Sequence, residues 1–218
     1  GFTFAIFLAL MINEIKLRKV KSVVQTCVYL PYFLSWVIFA GLVQVFLEYP
    51  TSADIGGAVN QIIQRLGGEP IDFLKRPEMF RGILVISNII KTSGYSTIVY
   101  LAALSGVDPT LHEAAQVDGA TRLKRVWHVD LPVLLPTASI MLIMNAGSIM
   151  SVGFEKVYLM QNSLNSSVSE VIATYTYKQG MQSTKYSYSA AVGLFNNVIN
   201  FALLMLVNGI TRKLGDTS

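Results

Sequence analysis

Apolar residues in this chain run in long unbroken stretches, without the two-residue alternation of a half-buried sheet. Ser22–Leu47 ("SVVQTCVYLPYFLSWVIFAGLVQVFL") carries no charge, and neither do Leu131–Phe154 or Tyr186–Thr211. Gly82–Val107 is broken only by Lys91. Each exceeds the roughly 20 residues a helix needs to cross a hydrocarbon core about 30 Å thick. The chain opens inside a fifth such stretch, "GFTFAIFLALMIN". As a helix it would reach only about 20 Å, and it has neither the charged start nor the small-residue cleavage site of a signal peptide. We read it as the tail of a truncated span, with one or more N-terminal spans missing. The expected fold is an all-α integral membrane protein with five spans in a single transmembrane domain over residues 1–218.

The polar connections have patterns of their own. Within the loop 48–80, Ile55, Val59, Ile62, Ile63 and Leu66 recur at helical spacing, and Gly67-Gly68 supplies a stop. A short amphipathic helix is expected there, lying on the membrane or on the protein's outer face. Segment 108–132 is the most sharply punctuated. Asp108-Pro109 makes a helix start, with an N-cap acceptor and proline at the first helical position. Gly119, after Asp118, can take the left-handed conformation that ends a helix. A second helix from about Thr121 puts Leu123, Val126 and Trp127 on one face and Arg122 and Arg125 on another. "LPVLLP" is expected to break that helix before the next span. The predicted element is a helix-glycine-helix elbow.

Composition narrows the class. The chain is 52% hydrophobic and 14% charged, with mean hydropathy +0.50. A soluble domain carries about 25% charged residues, so a membrane protein is favoured. The net charge of +4 lies in clusters between apolar runs, with no basic-aromatic run suited to nucleic acid. Lys16, Arg18, Lys19 and Lys21 follow the first segment, Arg122, Lys124 and Arg125 lie in the elbow, and Arg212 and Lys213 close the chain. With five alternating spans these three regions share one side, the cytoplasm by the positive-inside rule. The loop 48–80 is then extracellular. The single Cys27 is expected as a small core residue, and no disulfide can form within the chain.

Several chemistries are excluded. "HEAAQ" has glutamine where a zinc-protease helix needs its second histidine. Only His112 and His128 occur, and no Walker-type glycine loop is present. Neither a catalytic constellation nor a metal site is expected, and the chain is read as no enzyme.

The residues "EAAQVDGATRLKRVWHVDLP" resemble the cytoplasmic loop of binding-protein-dependent ABC importer permeases. That family pattern is E-A-A, three residues, G, nine residues, a branched apolar residue, one residue, L-P. Glu113, Ala114, Ala115, Gly119, Val129, Leu131 and Pro132 fill it at full length. Asp118 before Gly119 and the lead-in "LAALSGVDPTLHEAA" are similar to the carbohydrate-uptake branch, multi-sugar and polysaccharide permeases in particular. The resemblance implies a bacterial plasma-membrane, multi-pass permease subunit that translocates an oligosaccharide or related sugar. It implies a second permease subunit, ABC ATPase subunits and an extracellular solute-binding protein as partners, within membrane lipid. ATP and Mg would be bound by the ATPase subunits, with no cofactor in this chain. It also implies that 108–132 is a coupling loop, with Glu113, Ala114, Ala115, Asp118, Gly119, Leu131 and Pro132 serving the ATPase joint.

Polar residues inside spans cost several kcal/mol at the bilayer centre and so mark candidate pathway positions. Asn88, Lys91 and Tyr95 share one helix face, Asn145 and Ser148 another, and Asn196, Asn197 and Asn200 lie in the last span. Amides, hydroxyls and rings suit a neutral sugar, and Lys91 suits an anionic one or a carboxylate partner such as Glu155. Interhelical hydrogen bonding explains the same asparagines equally well. Ala102 and Gly106 read as packing residues at a helix crossing. "NSS" at Asn165 matches a glycosylation acceptor and is given no role. The alternative class, an ion-gradient-driven secondary transporter, would call for internal repeats and intramembrane carboxylates, which the spans lack.

Overall fold

A computed structural model describes residues 1–52, 54–146 and 153–215, with backbone alone for 211–215. Helices account for the regular structure of the described residues. They contain no strand, only one isolated antiparallel bridge between Thr51 and Asp54. The helices are α1 Phe2–Asn13, α2 Arg18–Phe33, α3 Trp36–Leu47, α4 Ala58–Arg65, α5 Pro77–Ser105, α6 Pro109–Val117, α7 Arg122–Arg125, α8 Leu131–Ala146, α9 Phe154–Met160, α10 Ser166–Ser169, α11 Ile172–Tyr177 and α12 Tyr186–Gly215. Wider π-turns occupy Val126–Asp130 and Lys178–Gln182.

Two helical runs, Arg122–Ala146 and Tyr186–Ile210, are long and apolar enough to cross a membrane, and α2 with α3 adds a third if that broken pair is one span. The apolar run Ser22–Leu47 is therefore not one continuous helix. Pro31 sits in the last turn of α2, where it withdraws a backbone donor. Ser35 then restarts the helix, its hydroxyl accepting from the Ile38 N–H at 3.2 Å. The run Leu131–Phe154 also begins earlier than its composition suggests. "LPVLLP" does not break the chain's helix: α7, the π-turn and α8 are continuous through Pro132 and Pro136. A π-turn shifts the hydrogen-bond register and so admits a proline in the turn that follows.

The described residues group into two compact units. One holds residues 1–33, 89–146 and 203–215. Its core joins α1, α5 and α8 through Ala5, Ala9, Tyr100, Leu104, Leu134, Ala138 and Met141. The alanines one turn apart let the helix backbones approach, the usual device where lipid removes a hydrophobic drive between helices. Gly94 does the same on α5, since a Cβ there would lie 2.6 Å from the Val28 carbonyl oxygen of α2. Ala102 and Gly106, the expected packing pair, are exposed instead. Cys27 is exposed too, because α2 buries none of its residues in the chain alone.

The second unit holds residues 34–88 and 153–202. Ala40, Phe80, Val157 and Met160 form its apolar centre. Asparagines tie its loops down. Asn60, fully buried on α4, donates to the carbonyls of Glu48 (2.8 Å) and Ile71 (3.0 Å) and accepts from the Ile71 N–H (2.8 Å). Asn165 is equally buried, donating to the Leu74 and Met160 carbonyls at 3.0 and 3.1 Å. The sequon at Asn165 is thus a structural anchor. Helix α4 forms within the expected loop and Gly67 follows it at φ +81°. Ile55, Ile62 and Leu66 are exposed and Val59 and Ile63 half-buried, while the fully buried residue of this helix is the polar Asn60.

Candidate functional site

The elbow is built from local rules. Asp108 caps α6 by accepting from the Thr110 N–H at 2.9 Å, and those bonds hold its carboxyl pKa below the usual value. At the other end Gly119 adopts φ +75°, and the Ala120 N–H reaches back to the Ala115 carbonyl at 2.9 Å. This paired turn satisfies carbonyls that the helix end would leave orphaned. Thr121 caps α7, accepting from the Lys124 N–H at 3.5 Å.

On α6, Glu113 and Ala114 are exposed and Ala115 is half-buried, and no residue of the helix is buried. Asp118 and Gly119 are exposed as well, and a Cβ on Gly119 would meet nothing within 4 Å. The short helix therefore presents a small-residue surface that the chain itself leaves uncovered. Pro132 is exposed in the first turn of α8. Leu131 lines a cavity of about 480 Å³ in which Leu123, Val126 and Trp127 face Ile6, Phe7 and Leu10 of α1. The face expected from helical spacing is thus turned toward α1.

A polar contact closes the elbow. His112 Nε2 lies 3.4 Å from Asp130 Oδ1, and the Asp130 side chain is 1% exposed. His112 precedes the Glu113-Ala114-Ala115 triplet and Asp130 precedes Leu131-Pro132, so the contact joins the two ends of the motif. Sequence reading passed over it because eighteen residues separate partners that only the fold brings together.

The intramembrane polar residues divide between the two units. In the first, Lys91 Nζ donates to the carbonyls of Pro31 (3.2 Å) and Tyr32 (3.3 Å). It caps the end of α2, where helix carbonyls lack partners and a cation is favoured. Tyr95 stacks on Tyr32 at 5.1 Å between ring centroids. Asn145 donates to the Met141 carbonyl of its own helix at 2.8 Å. Ser148 lies outside the described residues.

In the second unit, Asn88 accepts from Lys156 Nζ at 2.9 Å, and that ammonium also sits 5.8 Å over the Trp36 ring. Burial pushes the Lys156 pKa down. Phe154, Tyr158 and Tyr177 form an adjoining aromatic trio with centroids 4.8 to 5.3 Å apart. On α12, Asn197 is exposed, Asn200 is buried, and the Asn196 side-chain oxygen is buried without a hydrogen-bond partner among the described residues. Lys156 was not among the positions singled out by sequence. Its signal was weak: a lysine beside aromatic residues just past an apolar run.

No group of three or more metal-ligating side chains occurs among the described residues. Helices this apolar, two of them long and apolar enough to cross a membrane, define a polytopic membrane protein. The chain belongs to the family of binding-protein-dependent transport system inner membrane components, whose model matches residues 1–216. It is a multi-pass protein of the inner membrane by that membership.

Among its relatives is the polygalacturonan/rhamnogalacturonan transport system permease protein YteP of Bacillus subtilis, 41% identical over 99% of this chain. Protein LplB of the same organism is 42% identical over 98% of it. The chain spans 65% of the length of each. Its fold is similar to a crystal structure of a bacterial ABC transporter that imports the acidic polysaccharide alginate, with TM-score 0.91 and 41% identity over 98% of this chain and 73% of that one. A second structure, of a bacterial alginate ABC transporter with an alginate pentasaccharide-bound periplasmic protein, matches with TM-score 0.92 over the same shares. By their names YteP and the two alginate transporters are transport proteins.

Proposed function

We propose that this chain is a membrane-spanning permease subunit of an ATP-driven ABC importer, translocating an oligosaccharide or related sugar delivered by an extracellular solute-binding protein. Five spans carry the elbow 108–132 on the cytoplasmic side and the loop 48–80 outside. The observation that carries this reading is the exposed elbow itself. Its Glu113-Ala114-Ala115 face and Gly119 turn are complete, local and uncovered, as a surface shaped for another subunit should be. Relatives named for polygalacturonan, rhamnogalacturonan and alginate support a saccharide cargo.

The mechanism follows from stiffness. Closure of two ATPase subunits around ATP and Mg must move membrane helices as rigid bodies. Small Ala114 and Ala115 side chains permit close docking, and Glu113 offers a carboxylate to basic or backbone donors. The turn at Gly119, the His112–Asp130 contact and the unbroken helix from Arg122 to Ala146 would pass that motion into the membrane. Asp118, Leu131 and Pro132 hold the turn and the helix start. A second permease subunit completes the pathway, toward which Asn88, Lys91, Tyr95, Asn145, Ser148, Asn196, Asn197 and Asn200 are the candidate contributors.

The test is co-expression of the complete gene with its neighbouring ATPase and permease genes, comparing wild type with Gly119→Asp. A Cβ at Gly119 meets open space within the chain, so the variant acts through backbone strain of about 1 kcal/mol and through bulk and charge on the docking face. Wild type should capture the ATPase and show hydrolysis stimulated by the binding protein, and the variant should lose one or both. A wild-type protein that captures no ATPase refutes the reading and directs attention to an ion-gradient assay.

A further inference from the structure

Resting on the importer reading, with the elbow in the cytoplasm, the charges at the elbow bear on how its movement is regulated. No residue of α6 is buried, and Leu111 and Val117 are exposed, so apolar packing within the chain does not hold this helix. Its far end turns at Gly119, a residue free to pivot. A polar tie does reach it: His112 Nε2 lies 3.4 Å from Asp130 Oδ1. Asp130 is 1% exposed, and neither of its carboxylate oxygens accepts a hydrogen bond among the described residues. It ends the π-turn Val126–Asp130, and such turns occur frequently at functional sites.

A buried carboxylate without hydrogen bonds depends on the charges around it. Groups from three elements act on Asp130: His112 on α6, Arg125 on α7 and Glu14 at the end of α1. Arg125 carries one positive charge, and Glu14 and Asp130 one negative charge each. The cluster is therefore left with one net negative charge beside a neutral imidazole and is balanced beside an imidazolium. We propose that His112 and Asp130 are positioning residues for energy coupling, and that α6 stays locked to the membrane helix only while the His112 imidazole is protonated. The His112 side chain is 27% exposed, so its proton exchanges with the cytoplasm. Imidazole ordinarily changes charge between about pH 5 and 8. As cytoplasmic pH rises through that range the pair loses its cation, α6 pivots about Gly119, and ATPase movement no longer reaches the span. In stronger acid, protonation of Asp130 ends the pair from the other side. The docking face of Glu113, Ala114 and Ala115 is untouched, so the ATPase stays bound. His128, the other histidine, is exposed, its ring 2.9 Å from the Lys124 carbonyl, and it makes no ion pair among the described residues.

The test uses the complete permease assembled with its partner permease, ATPase subunits and binding protein. It reads ATPase capture and the hydrolysis stimulated by binding protein loaded with oligogalacturonate or oligoalginate, from about pH 6 to about pH 8. Each variant is compared with wild type at the same pH, which removes the pH response of the ATPase itself. All variants should capture the ATPase. Stimulation of His112→Gln should be about ten-fold weaker than wild type at the acid end of the range and equal to it at the alkaline end. Asp130→Asn should follow the same course. His112→Lys, a permanent cation, should match wild type at the acid end and exceed it at the alkaline end, and His128→Gln should match it throughout. A His112→Gln deficit that is the same at every pH makes the residue structural and overturns the proposal. So does the absence of any deficit, a His112→Lys no better than His112→Gln, a His128→Gln that reproduces the deficit, or a His112→Gln that captures no ATPase. Each of those results leaves the importer reading standing as long as wild type is stimulated. A wild type that captures no ATPase, or that no loaded saccharide stimulates, defeats both.

Discussion

Replacing Asn60 by alanine should loosen the second unit by an amount that can be worked out bond by bond. Asn60 is fully buried and holds three backbone groups, the carbonyls of Glu48 and Ile71 and the Ile71 N–H, at 2.8 to 3.0 Å. At about 1 kcal/mol net for each bond, the loss is about 3 kcal/mol. The Glu48 carbonyl keeps its bond from the Gly57 N–H at 2.9 Å, but leaving the two Ile71 groups unsatisfied would cost more, and water entering the space of the lost amide would offset part of that. The effect is local, because the bonds join the end of α3 to the segment after α4. Hydrogen exchange of the 48–72 backbone in the assembled protein reads it directly, and about 3 kcal/mol corresponds to roughly a hundred-fold faster local opening. Asn60→Asp can keep the bond from the Ile71 N–H but sets a carboxylate against two carbonyls, so it should do no better than alanine. Wild-type exchange at Ile71 in the alanine variant would show that the asparagine does not anchor the loop.

Gly94→Ala should destabilise the first unit by about 1–3 kcal/mol, since its Cβ would meet the Val28 carbonyl oxygen at 2.6 Å and that oxygen, as helix backbone, cannot swing aside. A wild-type melting temperature for the purified variant transporter would refute that close approach. Lys156→Met should leave thermal stability unchanged or raised, because burial has lowered the lysine's pKa; the stability gap to wild type should close as pH rises from that pKa toward 10.5. A clear loss of stability at neutral pH would contradict it. Asp108, whose carboxyl pKa is depressed by the Thr110 bonds, contributes to the start of α6 above its unfolded value of 3.8 and loses that contribution as pH falls through the depressed folded value. Exchange of the first α6 turn should therefore be faster in Asp108→Ala than in wild type at pH 7 and converge with it in acid; a pH-independent difference would count against the cap.

The elements legible in the sequence are those fixed by neighbours along the chain. The cap at Asp108, the left-handed turn at Gly119 and the polar punctuation of 108–132 depend on residues within a turn of one another. The family membership follows from the same stretch, since the spacing from Glu113 to Pro132 is itself a sequence property. Apolar composition likewise determined that helices would cross or line a membrane. Hydropathy is a sum over a window, though, and a sum does not register where one helix stops and another begins. Pro31 and Ser35 divide a 26-residue uncharged run, while the π-turn at Val126–Asp130 carries a helix through two prolines that read as breakers.

Only the tertiary structure decided which partners the polar residues take. Lys91 and Lys156 look alike in sequence, each a lone cation at or beside an apolar run. One meets the carbonyls at the end of α2, the other an amide and an indole ring. His112 and Asp130, Asn60 and Ile71, and Asn165 and Leu74 are partners across 18, 11 and 91 residues respectively. A hydrogen bond or ion pair acts through space over about 3 Å, so its partner is set by how the chain returns upon itself, which no local pattern encodes.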